Sequence, residues 1–464
     1  MTTIDDQTEA DSGREDDAYL LDRRAVAAIL DAVEKGDQAQ LTELMEPLHA
    51  ADIADLLEQI GHVDRESLIR LYDHEFDGEI LSELDESIRE DVISILAPQV
   101  LADAVRELES DDVVDLIEDL EEPQQETILG ALAETDRLAV EQAMSYPEGS
   151  AGRLMQREVV MAPAHWNVGQ AIDYMRSNEH MPDQFYHVIL VDPRMHPVGN
   201  VTLGKLMGAR RTVPLLDLTE EMFHVIPATQ DEEDVAYAFN QYHLISTPVV
   251  DDEGRLAGMI TIDDAMAVLD EEHEEDIMRL AGVGDESSLS DSVAETVKRR
   301  LPWLAVNLLT AILASLVIAL FEDTLSRFVA LAVLMPIVAS MGGNAGTQSL
   351  TVAVRSLATR DLTGANVWRV IRREVLVGLL NGVVFAVTMG VVGVIWFGSP
   401  QIGYVIAVAM VINLAVAGLA GTVIPVMMDK MGVDPALASG TFVTTVTDVV
   451  GFFVFLGLAG MVLL

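Results

Sequence analysis

Asp448 is the single charged residue in an otherwise apolar run from Ala436 to Leu464. A carboxylate at membrane depth is costly, so it normally faces a bundle interior, a partner or a water-filled path. Thr441, Thr444 and Thr445 precede it at helical spacing and place hydroxyls on the same face. Asp434, just before Pro435, falls at the mouth of that run. An earlier apolar run, 328–354, carries Pro336, Gly342, Gly343 and Gly346 interleaved with Asn344, Thr347 and Gln348. Carboxylate, hydroxyl and amide oxygens set this way suit a hard, hydrated cation such as Mg²⁺ or Ca²⁺. Each feature also has a plainer use. Neighbouring hydroxyls could tie up Asp448, and Asp434 before a first-turn proline fits a helix N-cap. The glycines could serve close helix packing, or local unwinding where the backbone lines a cavity.

These residues must be held by membrane-spanning helices, and five apolar runs are long enough: 302–321, 328–354, 375–397, 401–428 and 436–461. Lys298, Arg299 and Arg300 precede the first, and five arginines from Arg355 to Arg373 lie between the second and third. The connections after the first and third offer only Arg327. The positive-inside rule therefore predicts cytoplasmic N-terminal domains and a C-terminus on the far side of a bacterial inner membrane. Residues 297–464 carry ten basic and seven acidic side chains, whereas residues 1–296 carry 18 and 69. So acidic a soluble half repels phosphates, which excludes nucleic acid, and attracts divalent metal ions. With no cysteine, oxygen is the natural ligand atom. The polar, acidic stretch 1–18 has no apolar core, so it is expected to be a disordered tail and not a signal peptide.

Residues 19–146 read as short amphipathic helices. The segment 51–58 (ADIADLLE) recurs as 111–118 (DDVVDLIE), with the related 101–108 between them, which predicts a small superhelical stack. Residues 147–270 alternate strands and helices. An apolar strand ending in Asp192, a turn, and a strand containing Gly199 recur 59 residues later with Asp251 and Gly258. This spacing resembles a tandem pair of CBS domains, 147–215 and 216–270. A polar, helix-compatible linker over 271–300 then leads to the membrane domain, 301–464. Asp111 and Asp115 are four apart on one helical face, and Asp264, Glu272, Glu275 and Asp276 cluster where the second CBS unit meets the linker. Each could equally be a solvated surface acid.

Together these features, with the junction 146–155 (YPEGSAGRLM), the segment 342–348 (GGNAGTQ) and Asp434-Pro435-Ala436 through Asp448, resemble the MgtE family of bacterial Mg²⁺ channels. Thr441 stands where several relatives have proline. The resemblance implies a multidomain membrane protein: an all-α N domain, a CBS pair, a linking (plug) helix and five membrane helices. It further implies a homodimer whose pore, lined by spans two and five, holds Mg²⁺ at paired Asp448 carboxylates, with Gly343, Asn344, Thr347, Gln348, Thr444, Thr445 and Asp434 along the path. Asp111, Asp115, Asp264, Glu272, Glu275 and Asp276 would bind cytosolic Mg²⁺ across domain interfaces, compacting them and drawing the linking helix over the pore. CBS pairs commonly bind adenine nucleotides through Thr-x-x-Asp; Thr261 and Asp264 fit that pattern, while Thr202 with Lys205 lacks the acid, so one ATP site per chain is expected.

Three competitors remain to be weighed. A secondary transporter exchanging Mg²⁺ for another ion shares every feature above. A membrane-anchored sensor has no use for a deep carboxylate. An enzyme would need a titratable partner for Asp448, and no histidine follows His273; nor is there a P-loop for ATP hydrolysis. The chain is read as a non-enzyme.

Overall fold

The computed structural model describes residues 21–464 apart from 119, 121, 179, 180, 183 and 284–292. The tail expected over 1–18 lies outside the described residues, as does the middle of the expected linker. The chain divides into two compact units between Leu269 and Asp270.

The first unit opens with short helices from Arg23–Lys35 to Glu134–Ala143. The repeat seen in the sequence is a repeat of burial. Ile53, Ala54, Leu56 and Leu57 of the Ala50–Gln59 helix are buried, and so are Val113, Val114, Leu116 and Ile117 of the Ser110–Glu118 helix. Their helix ends are closed alike. Arg65 donates to the Leu57 and Ile60 carbonyls (2.7 and 3.2 Å), and Gln125, sixty residues on, donates to those of Ile117 and Leu120 (3.0 and 2.8 Å). Short helices leave orphan carbonyls at every C-terminus, and a long polar side chain from the next helix satisfies them.

Two three-stranded sheets follow, β1 (Met161–Pro163), β2 (His187–Val191), β3 (Pro197–Thr202) and β4 (Ile226–Pro227), β5 (Ser246–Val250), β6 (Leu256–Thr261). In each, the first strand pairs parallel with the second, which pairs antiparallel with the third. The aspartate ending each central strand makes the turn: Asp192 Oδ1 accepts from the N–H groups of Arg194 and His196, and Asp251 Oδ1 from those of Glu253 and Arg255. His187 and Ser246 hold equivalent places in the two sheets and meet, Nδ1 to Oγ, at 2.6 Å.

The helix Ile262–Ala281 runs from β6 into the linker and stops at Gly282, whose φ of +68° suits a residue without Cβ. Among the described residues of the second unit, five helices are long and apolar enough to cross a membrane: Thr296–Ala319, Val329–Ala358, Val367–Phe397, Pro400–Lys430 and Gly440–Leu463, called spans one to five. Span two is unbroken helix through Pro336 and its glycines, so the unwinding considered from sequence is absent there. Close packing takes its place. A Cβ on Gly342 would sit 2.2 Å from Asn413 Nδ2, and one on Gly346 2.5 Å from Val443 Cγ1. Asn413, fully buried in span four, reaches across that gap to the Val338 carbonyl (2.9 Å).

Span three begins at Val367, eight residues before the apolar run does, because its arginines continue the helix with exposed side chains. Glu374 therefore lies inside a span. It sits near the start of that span, directly after the exposed Arg372 and Arg373.

Candidate functional site

In the second unit, span two has two unlike faces. Gly342, Gly346 and Ser349 are buried against neighbouring helices, whereas Ser340, Asn344, Thr347, Gln348 and Thr351 are exposed, one polar stripe at helical spacing. Gly343 lies beside this stripe, and its missing Cβ would be 3.9 Å from Thr444 Cγ2 of the span-five helix, Pro435–Leu463. The structure thus brings Gly343 next to Thr444 of span five, while Asn344 and Thr347 bond within span two, to Ser340 and the Gly343 carbonyl.

The hydroxyls do not tie up Asp448. Thr444 donates to the Gly440 and Thr441 carbonyls (3.0 and 3.1 Å), Thr445 to that of Thr441 (2.6 Å) and Thr447 to that of Thr444 (2.9 Å). Thr441 Oγ1 instead reaches Asn307 Oδ1 of span one at 3.0 Å. Half-buried Asp448 has no hydrogen-bond or ion-pair partner among the described residues. Glu374 is the opposite case: it is buried and accepts from Ser349 Oγ of span two at 2.9 Å.

Asp434 is the N-cap of the span-five helix, its Oδ1 accepting from Ala436 N at 2.7 Å. Its Oδ2 meets Arg279 Nη1 at 2.7 Å, and Arg279 Nη2 also meets Glu275 Oε2 at 2.6 Å. Asp276, on the same turn, is pushed above the usual carboxylate range by burial and then by Asp434. Glu272 lies one turn earlier and is half-buried. Sequence reasoning passed over Asn307, Glu374 and Arg279. Asn307 could have been found as the lone amide in an apolar run; the other two stand among other charges and carry no such signal.

The first unit holds the second group of acids. Asp111 is buried, and burial followed by the nearby Asp264 carboxylate holds it well above its ordinary pKa. Burial also pushes Glu109 and Asp112 up to about 7, helped by Glu158 and Asp264 respectively. Ser110 Oγ donates to Glu158 Oε2 (2.8 Å), Gln156 Nε2 to Glu109 Oε2 (2.7 Å), and Arg157 N to Ser110 Oγ (2.8 Å). Asp115 is directed elsewhere, to Arg89 Nη1 at 2.7 Å, so its spacing from Asp111 does not make a pair. Among the described residues no three carboxylates or imidazoles converge as metal ligands.

Asp264 accepts from both N and Oγ1 of Thr261 (3.0 and 2.6 Å), closing the start of its own helix. Neither residue lines the cavity of about 430 Å³ between the two CBS units, which is walled instead by His187, Asn200, Thr202, Lys205, His224 and Tyr242, among others. Asn200 Oδ1 and His224 Nδ1 are buried there without partners, and the His224 and Tyr242 rings lie 4.5 Å apart.

Five membrane-length helices with an unpartnered carboxylate beside a polar helix face, joined to a CBS pair, define a membrane cation transporter with a large soluble half. Family comparison agrees. The family model described as a divalent cation transporter matches residues 335–458, that of the MgtE intracellular N domain 48–149, and that of the CBS domain 151–211 and 217–271. The chain belongs to the MgtE family of magnesium transporters. It is 35% identical to the magnesium transporter MgtE of Enterococcus faecalis over 69% of this chain and 71% of that one, and 32% identical to that of Bacillus subtilis over 71% and 73%. The cytosolic domain of the Mg²⁺ channel MgtE in complex with ATP is a structural neighbour at TM-score 0.49 and 26% identity, covering 52% of this chain and 99% of that one.

Proposed function

We propose that this chain is a passive Mg²⁺ channel of the bacterial inner membrane, formed by two copies and closed by cytosolic Mg²⁺. The observation that carries the reading is the unpartnered Asp448, surrounded by hydroxyls already committed to backbone carbonyls. One protomer leaves the polar face of span two uncovered, and a second copy facing it would enclose a polar path with two Asp448 carboxylates. Two like charges on one axis repel until a divalent ion arrives. Mg²⁺ sheds water reluctantly, so a wide ring of two carboxylates and neutral oxygens suits it. The flanking arginines and lysine favour cytoplasmic N-terminal domains.

Regulation is assigned to the acids of the soluble half, with Glu109 and Asp112 joining Asp111 and Asp264, while Glu272, Glu275 and Asp276 act at the linker. Mg²⁺ closes the channel only through a higher affinity for the compact arrangement. The raised pKa values give this a pH signature. A carboxyl whose pKa is raised in the packed state keeps its proton there after an exposed one has lost it, so this contribution is full below the ordinary carboxylate range of about 4, declines as pH rises and is lost once pH passes about 7. Protease protection of the soluble half should then be insensitive to Mg²⁺ near pH 6. Near pH 8 it should depend on Mg²⁺ in the millimolar range. Equal Mg²⁺ dependence at both pH values would remove these acids from the sensor. The adenine nucleotide expected for the CBS pair is assigned to the inter-unit cavity, where buried polar atoms lack partners, and not to Thr261 and Asp264.

The test is single-channel recording in liposomes with Mg²⁺ as the permeant cation. Currents that vanish as Mg²⁺ rises on the face bearing the soluble half are expected. Electrical silence alongside measurable Mg²⁺ flux would make the protein a coupled transporter.

A further inference from the structure

Span three carries a feature that ion conduction does not use. Arg369, Arg372 and Arg373 lie on one helical face with Leu376, Val377 and Leu380, and these six side chains line an open groove of about 540 Å³. All three arginines are exposed. None of the three guanidinium groups forms an ion pair or hydrogen bond with another described residue; their one partner is the exposed Trp368 ring, 5.7 Å from the Arg372 guanidinium. In a chain with 76 acidic and 28 basic residues, three neighbouring cations without a carboxylate are out of keeping with their surroundings. The adjacent acid does not neutralise them, since Glu374 points inward to Ser349.

We infer that this groove binds an anionic phospholipid, its headgroup phosphate on the three arginines and an acyl chain along Leu376, Val377 and Leu380. Guanidinium groups match phosphate geometry with paired N–H donors. The charged-to-apolar order along one helix face repeats the order of a lipid from headgroup to chain, and an exposed Trp belongs at that boundary. Fixing the orientation of the chain needs only a number of basic residues near a span; it does not need them on one face above an apolar groove. The inference holds for either orientation and for channel or transporter alike.

The full-length protein in neutral detergent tests it, by thermal unfolding titrated with phosphatidylglycerol, phosphatidylcholine or inorganic phosphate. Phosphatidylglycerol should raise the midpoint while the other two do not. Each arginine near a headgroup contributes about fivefold in affinity, so Arg369→Gln, Arg372→Gln and Arg373→Gln together should weaken the lipid response by on the order of a hundredfold. Arg327→Gln, on the connection after span one, should leave it unchanged. An unaltered response in the triple variant, or an equal one to phosphatidylcholine or to free phosphate, would overturn the assignment. Should the triple variant not fold, Arg372→Gln alone decides: about fivefold weakening supports the site, and none removes it.

Discussion

Asp448→Ala is expected to abolish Mg²⁺ uptake while leaving the protein folded and assembled. The two halves of that expectation have separate causes. Folding is spared because Asp448 accepts no hydrogen bond from a described residue, so its removal strands no donor, and the threonines around it keep their backbone carbonyl partners. Uptake is lost because Asp448 is the only carboxylate among the described residues of spans two and five. A charged contact worth about 3 kcal/mol corresponds to on the order of a hundredfold in ion affinity, and two copies of the chain lose two such contacts. Asp448→Asn separates charge from shape: it keeps the side-chain volume and should be nearly as damaging. The measurement is rescue of a strain that needs external Mg²⁺, with membrane abundance checked in parallel. Normal growth of the alanine variant would move the ion path elsewhere.

Deleting residues 1–269 should produce a transporter that Mg²⁺ no longer closes. The cut falls where the two compact units divide, and the remaining chain keeps all five spans and Asp434. It loses the clustered acids Glu109, Asp111, Asp112 and Asp264, whose mutual repulsion is the proposed store of free energy for opening. In the full chain, raising Mg²⁺ on the side of the soluble half should lower conduction more than tenfold, a shift of about 1.4 kcal/mol or more between the two arrangements. In the truncated chain the change should be less than about twofold, under roughly 0.4 kcal/mol. Retained closure would place the sensor in the acids that survive the cut, Glu272, Glu275, Asp276 and Asp434.

Much of this architecture is written in local pattern. The five spans follow from apolar length, and the two small sheets from a 59-residue recurrence whose strand-ending aspartates make the same turn twice. The helical repeat was legible because one pattern of buried residues, Ile53 to Leu57 and Val113 to Ile117, is required wherever the same two helices stack. Sidedness was harder to read. The run from Gly342 to Gln348 looked like either packing surface or pore lining; Gly342 and Gly346 are packed, while Asn344, Thr347 and Gln348 are exposed on another face of the same helix, and which glycine faces Asn413 depends on span four. Asp111 and Asp115 looked paired by spacing, yet Arg89 comes from 26 residues earlier to claim Asp115. Glu374 looked like part of a basic connection until helix continuation carried it inside a span. In each case the deciding neighbour lies far away in sequence.

The Arg279–Asp434 contact changes what it means for an ion to occupy the start of span five. Asp434 already has a counter-ion in this structure, because Arg279 reaches it from the linker helix and Glu275 shares that guanidinium. A cation drawn to Asp434 Oδ2 would compete with that guanidinium for the same carboxylate. The free energy of that step is a difference between two ion pairs, so it is small even where each pair is strong, and the exchange can run in both directions. Under the proposed function, an ion bound at Asp434 would free the arginine that fastens the linker helix there, and so tie the position of that helix to local ion concentration.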